Sequence, residues 1–158
     1  MTYSCQEIDE IADSIKTRVL RLGYGSRKLS KAQKWAVLKT IHEYFGGEEN
    51  RRVVCGWIFS DGEEMSAKLL TDVQWLALWR WINLWYDEEK DDWYPSEYFL
   101  RCVPYIANVA LRGHLGDLIP IMLEKGGVIV GVEHEEYNYV PILPIPLVKT
   151  GVDVSGII

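Results

Sequence analysis

Three histidines, three cysteines and 23 carboxylates are the groups in this 158-residue chain most able to do chemistry, and their spacing assembles no catalytic or metal site. His42, His114 and His134 are scattered, with no H-x-x-x-H or H-E-x-x-H pair that would set two ligands on one helical face. They read as surface histidines. Cys5, Cys55 and Cys102 form no C-x-x-C motif. An odd, dispersed set of thiols points to a reducing, cytoplasmic compartment. Two acidic runs, Glu133-His134-Glu135-Glu136 and Asp87 to Asp92, could gather a divalent cation. Neither has the alternating oxygen ligands and turn glycine of a calcium loop, so both read as solvated turns. Gly23-Tyr24-Gly25-Ser26-Arg27-Lys28 could offer N–H groups and cations to a phosphate, but it lacks the Walker pattern and reads as a helix connector. The expectation is a non-enzymatic binding protein with no catalytic residues, no metal and no cofactor. An enzyme site assembled from distant residues is the reading held in reserve.

Charge is the stronger functional signal. Ile15 to His42 carries eight cations and no acid, while the chain as a whole is −6, so the remainder sums to −14. Two helices joined by a basic turn would present one cationic face. That face would suit a nucleic-acid backbone through counterion release. Its residues are Arg18, Arg21, Arg27, Lys28, Lys31 and Lys34, with Tyr24 available to stack on an unpaired base. The competing reading is an internal match between these cations and the acidic loops. Tryptophan is the second signal, with seven in the chain. Trp75, Trp79, Trp81 and Trp85 crowd one predicted helix, while Trp35, Trp57 and Trp93 lie elsewhere. They form either a core or a partner surface. The alternative function is therefore a protein-protein interaction module, a small inhibitor or adaptor, acting through acidic loops or exposed tryptophans.

The elements that must position these residues are mostly helices. Ser4 with Glu7, Ser30 with Gln33 and Thr71 with Gln74 each spell a capping box. The first opens a stripe of Ile8, Ile11, Ala12, Ile15, Val19 and Leu22 that ends at Gly23. The second opens Trp35, Leu38, Ile41 and Phe45, stopped by Gly46-Gly47. The third opens Trp75 to Tyr86, apolar on nearly every face and so expected at the centre. LSKAQKWAVLKTIHEYF from Leu29 and LTDVQWLALWRWINLWY from Leu70 align at an offset of 41 residues, a match that shared helix-start chemistry accounts for without a duplication.

Residues 52–70 admit two readings. Asp61-Gly62 between apolar runs signals a hairpin. Val53, Val54, Trp57 and Ile58 share one helical face after Glu48 and Glu49, which favours a helix followed by a loop. Beyond the acidic run, Pro95-Ser96 opens a helix from Glu97 to Arg112, broken or kinked at Pro104, and Asp117 caps a short helix to Lys125. VIVGVE and YNYVPIL, flanking a polar turn, read as a hairpin whose second strand carries edge prolines.

The fold class expected is mainly α. One domain spans residues 1–158: a helical body over 1–126 as a compact bundle of about five helices, a C-terminal β-hairpin over 127–146 and an extended tail over 147–158. It becomes α+β if residues 52–70 form a second hairpin. The C-terminal hairpin either folds back on the helices or forms a homodimer through its edge. The first ten residues have no basic region leading into an apolar run, so no secretory signal is expected. Arg80 and Asn83 interrupt the longest apolar stretch, so no membrane is expected as a partner.

Ser66-x-Lys68-x-Leu70-Thr71-x-x-Gln74-x-x-Ala77-Leu78, after the apolar stretch ending at Phe59, resembles a helix-loop-helix connector of some phage and mobile-element DNA recombination or regulatory proteins. The resemblance covers about a dozen residues and implies an association with nucleic acid, without carrying over any site residue.

Overall fold

In the computed structural model the described residues are 5–111, with side chains from 6 onward, and the backbone of 127–130 and 138–141. The first helix, α1 (Cys5–Arg21), buries Ile8, Ile11, Ala12, Ile15 and Val19, the stripe its period predicts. Its capping residue Ser4 lies outside the described residues.

The other two capping boxes are formed. At the start of α2 (Lys31–Phe45) the Gln33 N–H donates to Ser30 Oγ at 3.1 Å, and the Ser30 N–H donates to Gln33 Oε1 at 2.8 Å. Gly46 closes this helix in the left-handed region at φ 90°. The buried face of α2 is Val37, Thr40, Ile41, Tyr44 and Phe45; Ile41 and Phe45 of the predicted stripe are in it and Leu38 packs against it, while Trp35 points away from the core with 66% of its surface exposed.

Residues 48–59 form α3 (Glu48–Phe59), so the helical reading holds and no second hairpin forms at 52–70. Asp61 and Gly62 do take the positive φ values of a tight turn, 48° and 94°, but they spend them ending a helix. The chain then folds back along α3, with the Met65 N–H donating to the Arg52 carbonyl at 3.1 Å. Gly56 permits that approach, since a β-carbon there would meet the Glu63 carbonyl oxygen at 1.7 Å.

A single 3₁₀ turn (Ala67–Leu69) leads to the Thr71 capping box and α4 (Asp72–Ile82). Six of its eleven residues are buried, including Trp75, Leu76, Leu78 and Trp81, as a central helix requires. The helix stops earlier than the expected Tyr86. Asn83 turns left-handed at φ 46°, its N–H capping the Trp79 carbonyl, and Trp85 onward becomes a strand. Strands β1 (Trp85–Asp87) and β2 (Asp92–Tyr94) pair antiparallel, so the acidic run is the turn of a hairpin whose first strand periodicity assigns to the helix. Asp87 Oδ1 accepts the N–H groups of Glu89 and Lys90, which folds the turn.

Ser96 caps α5 (Glu97–Ala110) through its hydroxyl, which accepts the Phe99 N–H at 3.2 Å. Of the two outcomes expected at Pro104, a break or a kink, the break does not occur, and the helix continues through it. It packs against all four other helices, and Phe99 stands edge-on to Trp81, Tyr44 and Phe45 at centroid distances of 4.7, 5.8 and 6.2 Å. The C-terminal hairpin pairs β3 (Gly127–Val130) with β4 (Asn138–Pro141), Gly127 opposite Pro141. Strand β4 runs beside α5, the folded-back arrangement. The helix expected from Asp117 to Lys125, His114, His134 and the tail over 147–158 lie outside the described residues.

Candidate binding groove

The seven residues expected to form a nucleic-acid face are divided among different surroundings. Arg18 is half-buried near Tyr98 of α5, whose phenol burial pushes well above its ordinary pKa, the Arg18 charge opposing that only in part. Lys28 pairs with Asp72 at 3.8 Å, and Lys34 sits over the Trp75 ring at 5.4 Å. Tyr24 is 70% exposed, but one ring face is covered by the Arg80 guanidinium, 4.0 Å from its centroid. Arg80 also donates to the Leu22 and Tyr24 carbonyls, and the Gly23 backbone is pressed on Val73, so the basic connector is fastened along α4. Arg21, Arg27 and Lys31 stay exposed with no ion-pair partner among the described residues. Some residues of the predicted face thus have partners within the molecule, while Arg21, Tyr24, Arg27, Lys28 and Lys31 are all exposed.

The structure instead opens a groove of about 470 Å³ between α2 and the β1–β2 hairpin. Its formation follows from the phase of α2. With Val37, Ile41, Tyr44 and Phe45 turned to the core, Ala32, Ala36 and Thr40 face the groove as a strip of small side chains, and Trp35, Lys39 and Glu43 run alongside. Trp79 of α4 and Leu84 form part of its lining, and Asp92, Trp93, Tyr94 and Pro95 supply the opposite wall. Trp35 and Trp93 are 66% and 60% exposed.

The hairpin wall is braced by its own rings. Trp85 packs on Tyr94 and Tyr86 on Trp93, with centroids 5.8 and 5.3 Å apart, and the Trp85 indole N–H donates to the Pro95 carbonyl at 3.2 Å. At its base the Ser96 N–H donates to the Ile82 carbonyl at 2.8 Å, tying the hairpin exit to the end of α4. The Trp93 N–H is taken by Asp92 Oδ1 at 2.8 Å.

The groove is electrically uneven. Glu43, Tyr44, Asp92 and Tyr94 all line it, and the Tyr44 phenol is raised above its ordinary pKa by burial first, then by the neighbouring Glu43, Tyr94 and Asp92. No family model, curated protein or solved structure matches this chain. Its chemistry is therefore read from the side chains alone.

Among the described residues no three metal-ligating side chains gather, and no helix is long and apolar enough to cross a membrane. Burial holds the Cys55 thiol up at about 11 and the Cys102 thiol at about 12, which leaves both protonated at neutral pH. His42 is pushed the other way, its pKa lowered by burial and by the Arg51 guanidinium. Aromatic rings, a few polar groups and two carboxylates line the groove, the mixture of apolar walls and placed polar groups usual in ligand clefts.

None of the groove residues is among the nucleic-acid-binding residues expected from the sequence, whereas Trp35, Trp79, Trp93 and Asp92 belong to the tryptophans and acidic loops of the alternative reading. Two signals pointed there: Trp35 falls out of phase with the residues that became the core, and Trp93-Tyr94 mirrors Trp85-Tyr86 across a polar run, the pattern of a hairpin.

Proposed function

We propose that this protein is a non-enzymatic binding module of a reducing, cytoplasmic compartment, which takes an extended segment of a partner protein in the groove between α2 and the β1–β2 hairpin. The observation that carries the reading is the pair of exposed indoles, Trp35 and Trp93, lining one aromatic groove. Large rings left open beside a concave surface are the groups that supply most of the binding free energy at protein interfaces. A helix apolar nearly all round suggests a partner surface on α4, but α4 buries Trp75 and Trp81 and contributes only the part-buried Trp79 to the groove, and the most exposed tryptophans belong to its neighbours.

The test is selection from a random peptide library on immobilised protein, run in parallel on the Trp35→Ala/Trp93→Ala variant. Sequences enriched on the wild type and lost on the variant support the reading. Equal enrichment on both overturns it.

A second reading, a nucleic-acid-associated protein of phage or mobile-element type, is favoured by Arg21, Arg27 and Lys31, which are exposed and without an ion-pair partner among the described residues. Anisotropy of labelled single- and double-stranded DNA and RNA at several salt concentrations addresses it. Binding with a steep salt slope that Arg27→Glu/Lys31→Glu flattens supports this second reading. No binding at low salt removes it.

A further inference from the structure

Resting on the groove reading, we infer that the groove selects a proline-rich segment in the polyproline II conformation with an arginine or lysine at one end. The cation is held by Glu43 and Asp92, and the prolines lie against the exposed indoles.

Length, backbone chemistry and charge each contribute. From Ala32 to Glu43 the α2 wall extends roughly 16 Å at 1.5 Å per residue. An extended polyproline II segment rises about 3.1 Å per residue, so about five residues fill it. A strand added to β2 beside Trp93 would compete with Asp92 Oδ1, which already accepts the Trp93 N–H at 2.8 Å. A polyproline II segment needs no ladder, because its own backbone stays solvated and its rings pack on flat aromatic surfaces. Trp35, Trp79 and Trp93 offer such surfaces beside the small Ala32 and Ala36.

Charge fixes the direction. The hairpin turn holds Asp87, Glu88, Glu89, Asp91 and Asp92 against one cation, Lys90, which lies over the Tyr94 ring at 5.4 Å. Glu43 on the α2 side and Asp92 on the hairpin side both line the groove, so the two walls each bring a carboxylate to it. Lys39 stands one helical turn nearer Trp35, so it repels a cation from the middle of the groove and leaves the Glu43–Asp92 end for it. A phosphate backbone laid along this groove would meet the same acidic wall, which disfavours RNA or DNA as its occupant.

Four fluorescein-labelled probes test the inference by anisotropy: a decapeptide of Pro-Pro-Ala repeats with one arginine, its glutamate counterpart, a Gly-Ser peptide with the same arginine, and a ten-residue oligouridine. The arginine-proline peptide is expected to bind about tenfold more tightly than either of the other peptides, the scale of one charge-assisted contact. Glu43→Gln/Asp92→Asn should bring the arginine and glutamate peptides within about twofold of each other. The asparagine side chain introduced by Asp92→Asn would keep an oxygen for the Trp93 N–H, and far-ultraviolet circular dichroism checks that the variant is folded.

Equal binding of the arginine and glutamate peptides, a charge preference that survives the double variant, or tighter binding of oligouridine overturns the inference. Trp35→Ala separates the two levels. If every peptide binds alike but loses affinity in Trp35→Ala, the groove reading stands and the selectivity falls. If the peptides bind Trp35→Ala as they bind the wild type, both fall.

Discussion

Two tryptophans of similar chemistry have opposite environments. Trp81 is fully buried against Phe99, whereas Trp35 stands in the groove wall with most of its surface in water. Trp81→Ala should therefore cost about 3–5 kcal/mol of stability, the usual range for emptying a buried aromatic site. Trp35→Ala should stay within about 0.5 kcal/mol. Urea unfolding of the two variants checks the contrast, and a large loss for Trp35→Ala would assign that ring to the core. The buried thiols set a second residue-scale expectation. Cys55 and Cys102 keep their protons in the folded state up to about 11 and 12, against 9.0 unfolded. Below pH 9 both states are protonated and the full stability is present. Above it the unfolded chain loses protons that the folded chain retains, so stability falls as pH rises toward the folded values. By pH 10 the loss should be about 1 kcal/mol per thiol. Unfolding curves at pH 8 and pH 10, repeated on Cys55→Ala/Cys102→Ala, read it directly. The pH dependence should be smaller in the variant.

At the scale of elements, legibility followed the local codes. Ser30 with Gln33 and Thr71 with Gln74 close their boxes as spelled, because capping depends on four consecutive residues and little else. The helix over residues 48–59 was readable from one apolar face even though Asp61-Gly62 advertised a hairpin; the turn formed with the backbone signs expected, in another context. The β1–β2 hairpin was hidden by the largely apolar run from Trp75 to Tyr86, interrupted only at Arg80 and Asn83, in which periodicity alone cannot mark where a buried helix becomes a strand. Asn83 was the one residue able to mark it, since asparagine tolerates the left-handed region that ends α4. The groove was unreadable for the same reason, as its second wall is that hairpin. A two-stranded sheet of this size is marginal alone, so its position depends on the joint at Ser96. Ser96→Ala removes the α5 cap and should cost about 1 kcal/mol. For a chain of this length that lowers the thermal midpoint by roughly 3 °C, a shift differential scanning calorimetry resolves.

For the molecule as a whole, α5 is the element every other helix leans on, and its residues from Tyr98 to Asn108 are buried apart from the partly covered Leu100 and Arg101. Its central amides should exchange with deuterium last, at the free energy of global unfolding, while the β1–β2 turn exchanges within the earliest time points. Slower exchange in α4 than in α5 would move the centre of the fold to the tryptophan-rich helix that the sequence nominated. The charge pattern is legible only at this scale. Of the eight cations in one segment, Lys28 pairs with Asp72 and Lys34 lies over the Trp75 ring, while Arg21, Arg27 and Lys31 stay exposed. Pattern along a chain records which charges are near in sequence and not which carboxylates and rings the fold brings to them.

The division of the seven tryptophans also equips the molecule with an optical reporter. Trp35, Trp85 and Trp93 are wet and Trp75 and Trp81 are dry, so the emission band is a composite of a red and a blue component. Acrylamide should quench the red component first. A molecule settling into the groove would shift the band to the blue and shield part of it from the quencher. Denaturation would shift it to the red and expose all of it. Occupancy and unfolding thus carry opposite spectral signs, and both can be followed in the unlabelled native chain.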